Sequence, residues 1–506
     1  MSSTDVEPSG SEEQVVNSFG YRQELRRGLR AFSVFSVAFS IISITTGIFL
    51  NFAFGITELG PVSIWLWPVA GVGQLLVALV LAELATRIPL AGANYQWGAR
   101  LVSPTYGWFV GALGVMYGAV GLPGIMFLAA APLTTYVFNV SAPSSRLVLF
   151  IALLLLTVAY LTNVISVQVA TRVNNVAVFT EIVGTTLLAI VLFFLWVGKH
   201  KTQHSGGFSF LGNHSHLPGQ PFWYAIVLAS LIGVYTIVGF ESAADMSEEA
   251  LDARRSVPSA MINSVIWSTV LGMVALIGFV LAIPPGDPRA FFSTGGGLPG
   301  EFQYWIGAGL ARTFVAIVVF SMFALCVIGA AANARLIYAM ARDNMLPASN
   351  VVRTINPTTQ TPIVALTVSW VICVAIMIYG YNSGNAFGTL VGATALVPYI
   401  VYLLTVIAYG YKRRGLEALP GAFHLRGWAV PVFSASLVWL VVVVLALSLP
   451  QEFHKADYYV LGGLALAALW WLVGLGPRFR KGTAGPSIIP DQPAEEMAGA
   501  RGASAG

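Results

Sequence analysis

Apolar residues in this chain fall in blocks of about twenty, the length an α-helix needs to cross roughly 30 Å of hydrocarbon, separated by short polar connections. Twelve such blocks can be drawn, over 31–54, 62–85, 106–137, 146–164, 176–198, 222–245, 259–283, 309–334, 362–380, 387–410, 429–449 and 457–475. Only 9% of the 506 residues are charged, against about a quarter in an ordinary soluble domain, and a soluble fold has nowhere to hide a 57% apolar composition. A transmembrane barrel is excluded, because its strands alternate apolar and polar residues and the run from Leu437 to Leu449 shows no period of two. The expected fold class is therefore all-α integral membrane, with lipid as the main solvent.

The loops set the orientation. With the N-terminus inside, 20 of the 26 Lys and Arg fall in inner connections, leaving Arg146, Lys199, Lys201, Arg289, Arg312 and Lys455 outside. Inner loops carry the excess of positive charge, so the chain is expected to sit multi-pass in the plasma (inner) membrane with both termini cytoplasmic. The opening MSSTDVEPSGSEEQ is polar and acidic, unlike a signal peptide, and the first span is expected to stay as an anchor. Residues 1–30 and 476–506 lack the apolar content to fold and are expected as flexible cytoplasmic extensions.

In lipid every backbone N–H and C=O needs a partner, so residues that loosen a helix at mid-depth are tolerated only beside a cavity or inside packed protein. The first span carries such a run, Ser40-Ile41-Ile42-Ser43-Ile44-Thr45-Thr46-Gly47, and the sixth carries another, Val234-Tyr235-Thr236-Ile237-Val238-Gly239-Phe240-Glu241-Ser242. Two interruptions five spans apart are what an inverted repeat produces, with a first repeat over 31–198, a second over 222–410, and two further spans over 429–475. Free N–H groups at Thr45, Thr46 and Gly47 would offer a positive helix end to a carboxylate, with Ser43 beside them. Free carbonyls around Tyr235, Thr236 and Ile237 would accept from an ammonium, next to Gly239 and Phe240. Close helix packing is the other reading of each run taken singly.

Several motifs resemble one family in the right order. Residues 82–97, AELATRIPLAGANYQW, are similar to the AExxSRxPxxGGxYxWA signature of the amino acid, polyamine and organocation superfamily of permeases. Gly239-Phe240-Glu241 with the later Glu248-Glu249 resembles its GxDxxxxxxEE pattern, and residues 341–347, ARDNMLP, its ARDGxLP. Residues 19–25, FGYRQEL, look most like the amino acid/choline branch, which includes GABA and choline permeases. The likeness spans about 19–480. It implies a LeuT-like fold of five plus five helices with two more at the end. It also implies a secondary transporter that imports or exchanges amino acids or related amines such as GABA by alternating access. Thr86, Ala93, Asn344 and Glu241 depart from the family's patterns, and Glu241 alone touches the expected gate.

The resemblance bears on coupling. Other members place a histidine or lysine in the fifth span, so Glu181, set among Val178, Phe179, Ile182 and Val183, resembles a proton-coupling residue; a carboxyl that reaches water or Arg172 is the other reading. Sodium is disfavoured, because LeuT-like sodium sites take hydroxyls from the eighth span and only Ser321 offers one between Thr313 and Arg335. Glu241 and Asp245, just past the second interruption, are expected to gate with Arg87 or Arg335, or else to be capping and loop charges. All six histidines lie outside the spans, so no intramembrane haem or metal cage is expected, and no phosphate loop or nucleophile elbow appears. The expected partners are a small amino acid or amine, a proton and the bilayer, with no cofactor, metal or nucleic acid, in a monomer or weak oligomer that is not an enzyme. Competing readings are a permease-fold nutrient sensor and a choline, ethanolamine or polyamine transporter.

Overall fold

The computed structural model describes residues 10–198, 207–293, 297–383, 386–413, 423–451 and 453–486, and these are helical apart from loops and one isolated bridge between Leu29 and Ala250. Among them, eleven helices are long and apolar enough to cross a membrane. The first crossing is two helices, α1 (Ala31–Ile42) and α2 (Ile44–Leu59). There follow α3 (Leu66–Arg87), the short α4 (Ala93–Leu101), α5 (Pro104–Val137, with a π turn at Met126–Ala130), α6 (Ser145–Ile165) and α7 (Val167–Gly198).

The sixth expected span, 222–245, departs from the simple count of twelve. It is a helix α8 (Phe222–Val234) too short to cross alone, an unwound stretch, and the single turn α9 (Ser242–Asp245). Beyond it lie α10 (Ala253–Ala282), α11 (Gly297–Arg342), α12 (Ile363–Asn382), α13 (Ala386–Lys412), α14 (Ala429–Ser448) and α15 (His454–Trp470). Helix α11 outruns its expected bounds of 309–334 because it merges with an approach helix across a kink at Gly307, whose φ is 77°. Helix α7 likewise begins nine residues before its expected 176, since polar Gln168, Thr171 and Asn174 interrupt the apolar run without interrupting the helix.

Apolar side chains at Phe150, Leu154, Phe179, Phe194, Val438 and Leu466 point outward, as lipid-facing residues do. Inside, small residues let backbones approach. Gly111, Gly114 and Gly118 line one face of α5, and a methyl added at each would lie 2.8, 2.8 and 2.6 Å from Met340, Leu336 and Asn333 of α11. That face brings α11 close enough to define one wall of the central cavity.

A polar latch closes the end of the bundle that carries the N-terminal segment. Arg335, 1% exposed, places Nε 2.6 Å from Glu249, and Arg342 grips Glu248 with two nitrogens at 2.9 and 3.1 Å. The backbone carbonyl of Glu249 accepts from the amides of Gly28 and Leu29. Asp343 accepts from Tyr21, Tyr95 and Gln96 at 2.6, 2.7 and 3.1 Å; burial lifts its carboxyl above the ordinary range, and Arg342 with the two tyrosine bonds pulls it back. The expected flexible extensions are thus shorter than drawn. Residues 21–30 are pinned by these bonds, and 478–485 by Arg478 on the Asn344 and Leu346 carbonyls and by the Gly485 amide on that of Asp343. Residues 1–9 and 487–506 lie outside the described residues.

Removing one partner of a buried pair leaves an uncompensated charge, at a cost of about 3–5 kcal/mol. Arg335→Leu is expected to lower the thermal unfolding midpoint of the purified protein markedly; an unchanged midpoint would show the Glu249 pair to be idle.

Candidate functional site

Both local weaknesses are real breaks in the helices. At Ser43 the chain turns left-handed, with φ 39°, a conformation costing an L-residue about 1 kcal/mol or more that surrounding contacts must offset. Its amide ends α1 on the Phe39 carbonyl, and its side-chain oxygen accepts from the Thr46 amide at 3.4 Å. Helix α2 therefore begins at mid-bundle, where the Thr46 amide is capped by Ser43 and the Gly47 amide bonds the Ser43 carbonyl, so these two are not free as expected, and the Thr45 amide needs a partner from elsewhere.

The occupant of that helix end is the protein's own carboxylate. Glu181 of α7, 2% exposed, accepts on Oε1 from the Thr45 amide at 3.0 Å, the Thr45 hydroxyl at 2.9 Å and the Ser43 hydroxyl at 3.2 Å. The field of a helix N-terminus favours an anion there. Glu181 thus sits on the helix end rather than in an ion pair with Arg172, and it holds the Thr45 donors that the residue pattern assigned to a bound carboxylate.

The second break runs from Tyr235 to Glu241. Gly239 has φ 85°, which glycine adopts freely. Two tyrosines of α13 take up what unwinding leaves unpaired. Tyr399 donates to the Val234 carbonyl at 2.8 Å, and Tyr402 accepts from the Gly239 amide at 2.8 Å while its hydroxyl donates to Glu241 in a short hydrogen bond. Phe240 stacks on the Tyr402 ring at 5.3 Å. Both tyrosines were missed from sequence; their signal was the i, i+3 spacing of two polar tips after Pro398 within an apolar span. Leaving a buried donor and a carboxylate without their partner costs about 1–3 kcal/mol each. Tyr402→Phe is therefore expected to lower the thermal unfolding midpoint of the purified protein, and an unchanged midpoint would show that the tyrosine bridge is dispensable.

The two breaks meet. A methyl on Gly47 would lie 2.0 Å from the Thr236 hydroxyl, and one on Gly239 would lie 2.2 Å from Ile41, so each break places a glycine against the other's helix. Ile237 and Phe240 are fully buried at this crossing. From it a narrow cavity of about 100 Å³ runs towards the latch, lined by Ile41, Gly118, Tyr117, Glu241, Asp245 and Asn333 among others.

Of the residues expected to gate, Glu241 and Asp245 both line this cavity, but neither is paired with an arginine. Arg87 binds Glu83 one turn away at 3.2 Å, and Arg335 binds Glu249. The expected pairing of Glu241 or Asp245 with Arg87 or Arg335 is thereby corrected: Glu248 and Glu249, on the loop beyond α9, reach the C-terminal end of α11 first.

Comparison with known proteins bears on the family. The family model described as amino acid permease matches residues 29–472. The chain is similar to the amino-acid permease BAT1 of Arabidopsis thaliana, with 25% identity over 90% of this chain and 93% of the relative. It is similar to the GABA-specific permease of Saccharomyces cerevisiae at 28% identity over 74% and 67%, and to amino-acid permease 2 of Neurospora crassa at 25% over 86% and 81%. A match that covers most of the chain, on an all-helical bundle with eleven apolar helices of spanning length, places this protein in the amino acid permease family, a multi-pass membrane carrier class of the amino acid, polyamine and organocation superfamily.

Proposed function

We propose that this permease is a secondary active transporter that imports or exchanges an amino acid or related amine by alternating access, coupled to protons through Glu181. The observation that supports this most is the Glu181 carboxylate seated on the α2 N-terminus at Thr45, two residues before the glycine by which the first break packs on Thr236 of the second. A carboxylate accepts all three bonds from Ser43 and Thr45; a neutral carboxyl loses its attraction to the helix end and must donate one hydrogen. Proton arrival therefore loosens α2 from α7, and a loosened α2 is the element that rocks between two access states.

In this reading the substrate sits where the breaks meet, touching Ser43, Thr45, Thr46 and Gly47 on one side and Tyr235, Thr236, Ile237, Gly239 and Phe240 on the other. Glu241 and Asp245 guard the exit towards the latch, which Arg87 and Arg335 hold shut through their own glutamates. The two halves, 31–198 and 222–410, act as inverted repeats, with 429–475 packed outside them. The latch faces the cytoplasm in the plasma membrane, as the distribution of Lys and Arg suggests.

Purified protein in proteoliposomes tests the reading. Labelled amino acids are expected to accumulate inside when an inward proton gradient is imposed and to equilibrate only slowly without one. Binding without uptake under either condition would instead favour a sensor.

A further inference from the structure

We infer that a second cavity, between α5, α12, α13 and α15, binds one acyl chain of a membrane phospholipid, and that this chain backs the wall of the central cavity. It has a volume of about 490 Å³, with Met116, Val120, Ile376, Val397 and Leu466 in its lining and no charged residue there among the described ones. Its mouth lies among lipid-facing residues: Tyr458 and Leu466 of α15 both line it and are 71% and 70% exposed. The far end of α15 leads to Arg478 in the latch, so Tyr458 sits near the opposite membrane surface, the level at which tyrosines meet lipid headgroups. From Tyr458 to Leu466 the groove descends about 12 Å, most of the ~15 Å of hydrocarbon in one leaflet.

Two neighbouring glycines of α15 shape the groove in opposite ways. A methyl on Gly463 would lie 2.3 Å from the Met116 sulfur, so this glycine lets α15 close on α5, whereas one on Gly462 would meet nothing within 4 Å. Gly462 thus leaves a recess one side chain deep. A helix from a second copy docks on small residues that are both free, and here one of the two is already used inside the chain. A hydrocarbon chain needs only the recess. Apolar cavities exclude water and take apolar guests, and methylenes that fill one gain the dispersion contacts that a gap forfeits.

Two residues connect this groove to the second break. Tyr117 lines both cavities, and its hydroxyl lies 3.7 Å from where a methyl on Gly239 would sit. Thr394 lines the groove and is hydrogen-bonded through its side chain to Tyr235 in the unwound stretch. A chain packed against Tyr117 and Thr394 holds both against the break; without it the Tyr117 ring has room to swing outward and widen the central cavity. This coupling rests on the transport reading above, and the binding of the chain does not.

Phosphatidylcholine with a photoreactive diazirine in its acyl chain tests the site in reconstituted full-length protein, with labelled residues mapped by mass spectrometry. Labelling is expected to concentrate on 116–120 and 458–466, about fivefold or more above Phe150 and Leu154 on the lipid face of α6. Gly462→Phe, which fills the recess, should remove that excess and leave the labelling of α6 unchanged. Should this variant fail to insert, the wild-type ratio alone decides. Even labelling of both faces, an excess that survives Gly462→Phe, or crosslinks between two copies at these residues overturns the inference. Counterflow of alanine or GABA then tests the coupling. Wild-type exchange is expected to differ several-fold between dimyristoyl and dioleoyl lipids, and Gly462→Phe to lose most of that difference, whereas an effect of bilayer thickness on the whole bundle would be the same in both. Equal dependence in the two proteins overturns the coupling and leaves the site standing. Exchange of neither substrate overturns the transport reading and the coupling with it, while the labelling still decides the site.

Discussion

Gly47→Leu is expected to abolish substrate binding while the protein still inserts and is produced at normal levels. Even the first carbon of a side chain at position 47 would overlap Thr236, at 2.0 Å from its hydroxyl and 2.2 Å from its methyl. The contact joins the two interrupted crossings, so relief requires them to part. Forcing extra atoms into a packed site costs about 1–3 kcal/mol, roughly five- to 150-fold in an equilibrium constant. Here that displacement falls on the groups proposed to face the substrate. Gly239→Leu should do the same from the other side, against Ile41, and it adds the strain of a side chain at φ 85°. The measurement is a ligand-induced thermal shift, because a ligand that binds only the folded state raises its stability. Wild-type shifts in both variants would dismiss the crossing as a binding site. A double variant, Gly47→Ala with Thr236→Gly, should recover part of the response, since it exchanges the two sizes across one contact.

The second large effect is at Glu181. In Glu181→Gln uptake is expected to become nearly independent of pH and of an imposed proton gradient, while counterflow between equal-pH compartments persists. Glutamine keeps the shape of the side chain and one acceptor for the Thr45 amide, yet it carries no charge for the α2 N-terminus to attract and no proton to release. A helix end favours an anion by about 0.3–1 kcal/mol at exposed sites and up to ~2 kcal/mol when partly buried. The variant should therefore be less firmly held in the conformation seen here, with faster exchange and uncoupled uptake. A wild-type pH response in Glu181→Gln would remove this residue as the proton carrier and leave only its role in holding α1, α2 and α7 together.

Much of the architecture is legible along the chain because lipid imposes a local rule. Each crossing must be apolar over a helix length and must pair its own backbone, so eleven of the expected spans coincide with apolar helices of spanning length among the described residues, with α7 and α11 outrunning their drawn bounds. The sixth fails as a plain helix at the residues where glycine and hydroxyls weaken it, and Ser43 marks the corresponding turn in the first. The ion pairs were harder to read. Several glutamates stand within reach of Arg335 in sequence terms, and only the fold of the loop carrying Glu248 and Glu249 brings these two, not Glu241, to α11.

What the sequence by itself determined is eleven of the expected crossings, the family, and the places where two helices cannot continue. The tertiary structure alone decided what satisfies those places: Glu181, 136 residues from Thr45, and Tyr402, 163 residues from Gly239. The reason is physical. Helix propensity and hydropathy act between near neighbours, whereas the partner of an unpaired N–H depends on which faces of distant helices are small enough to touch, and that is settled only when the whole bundle packs.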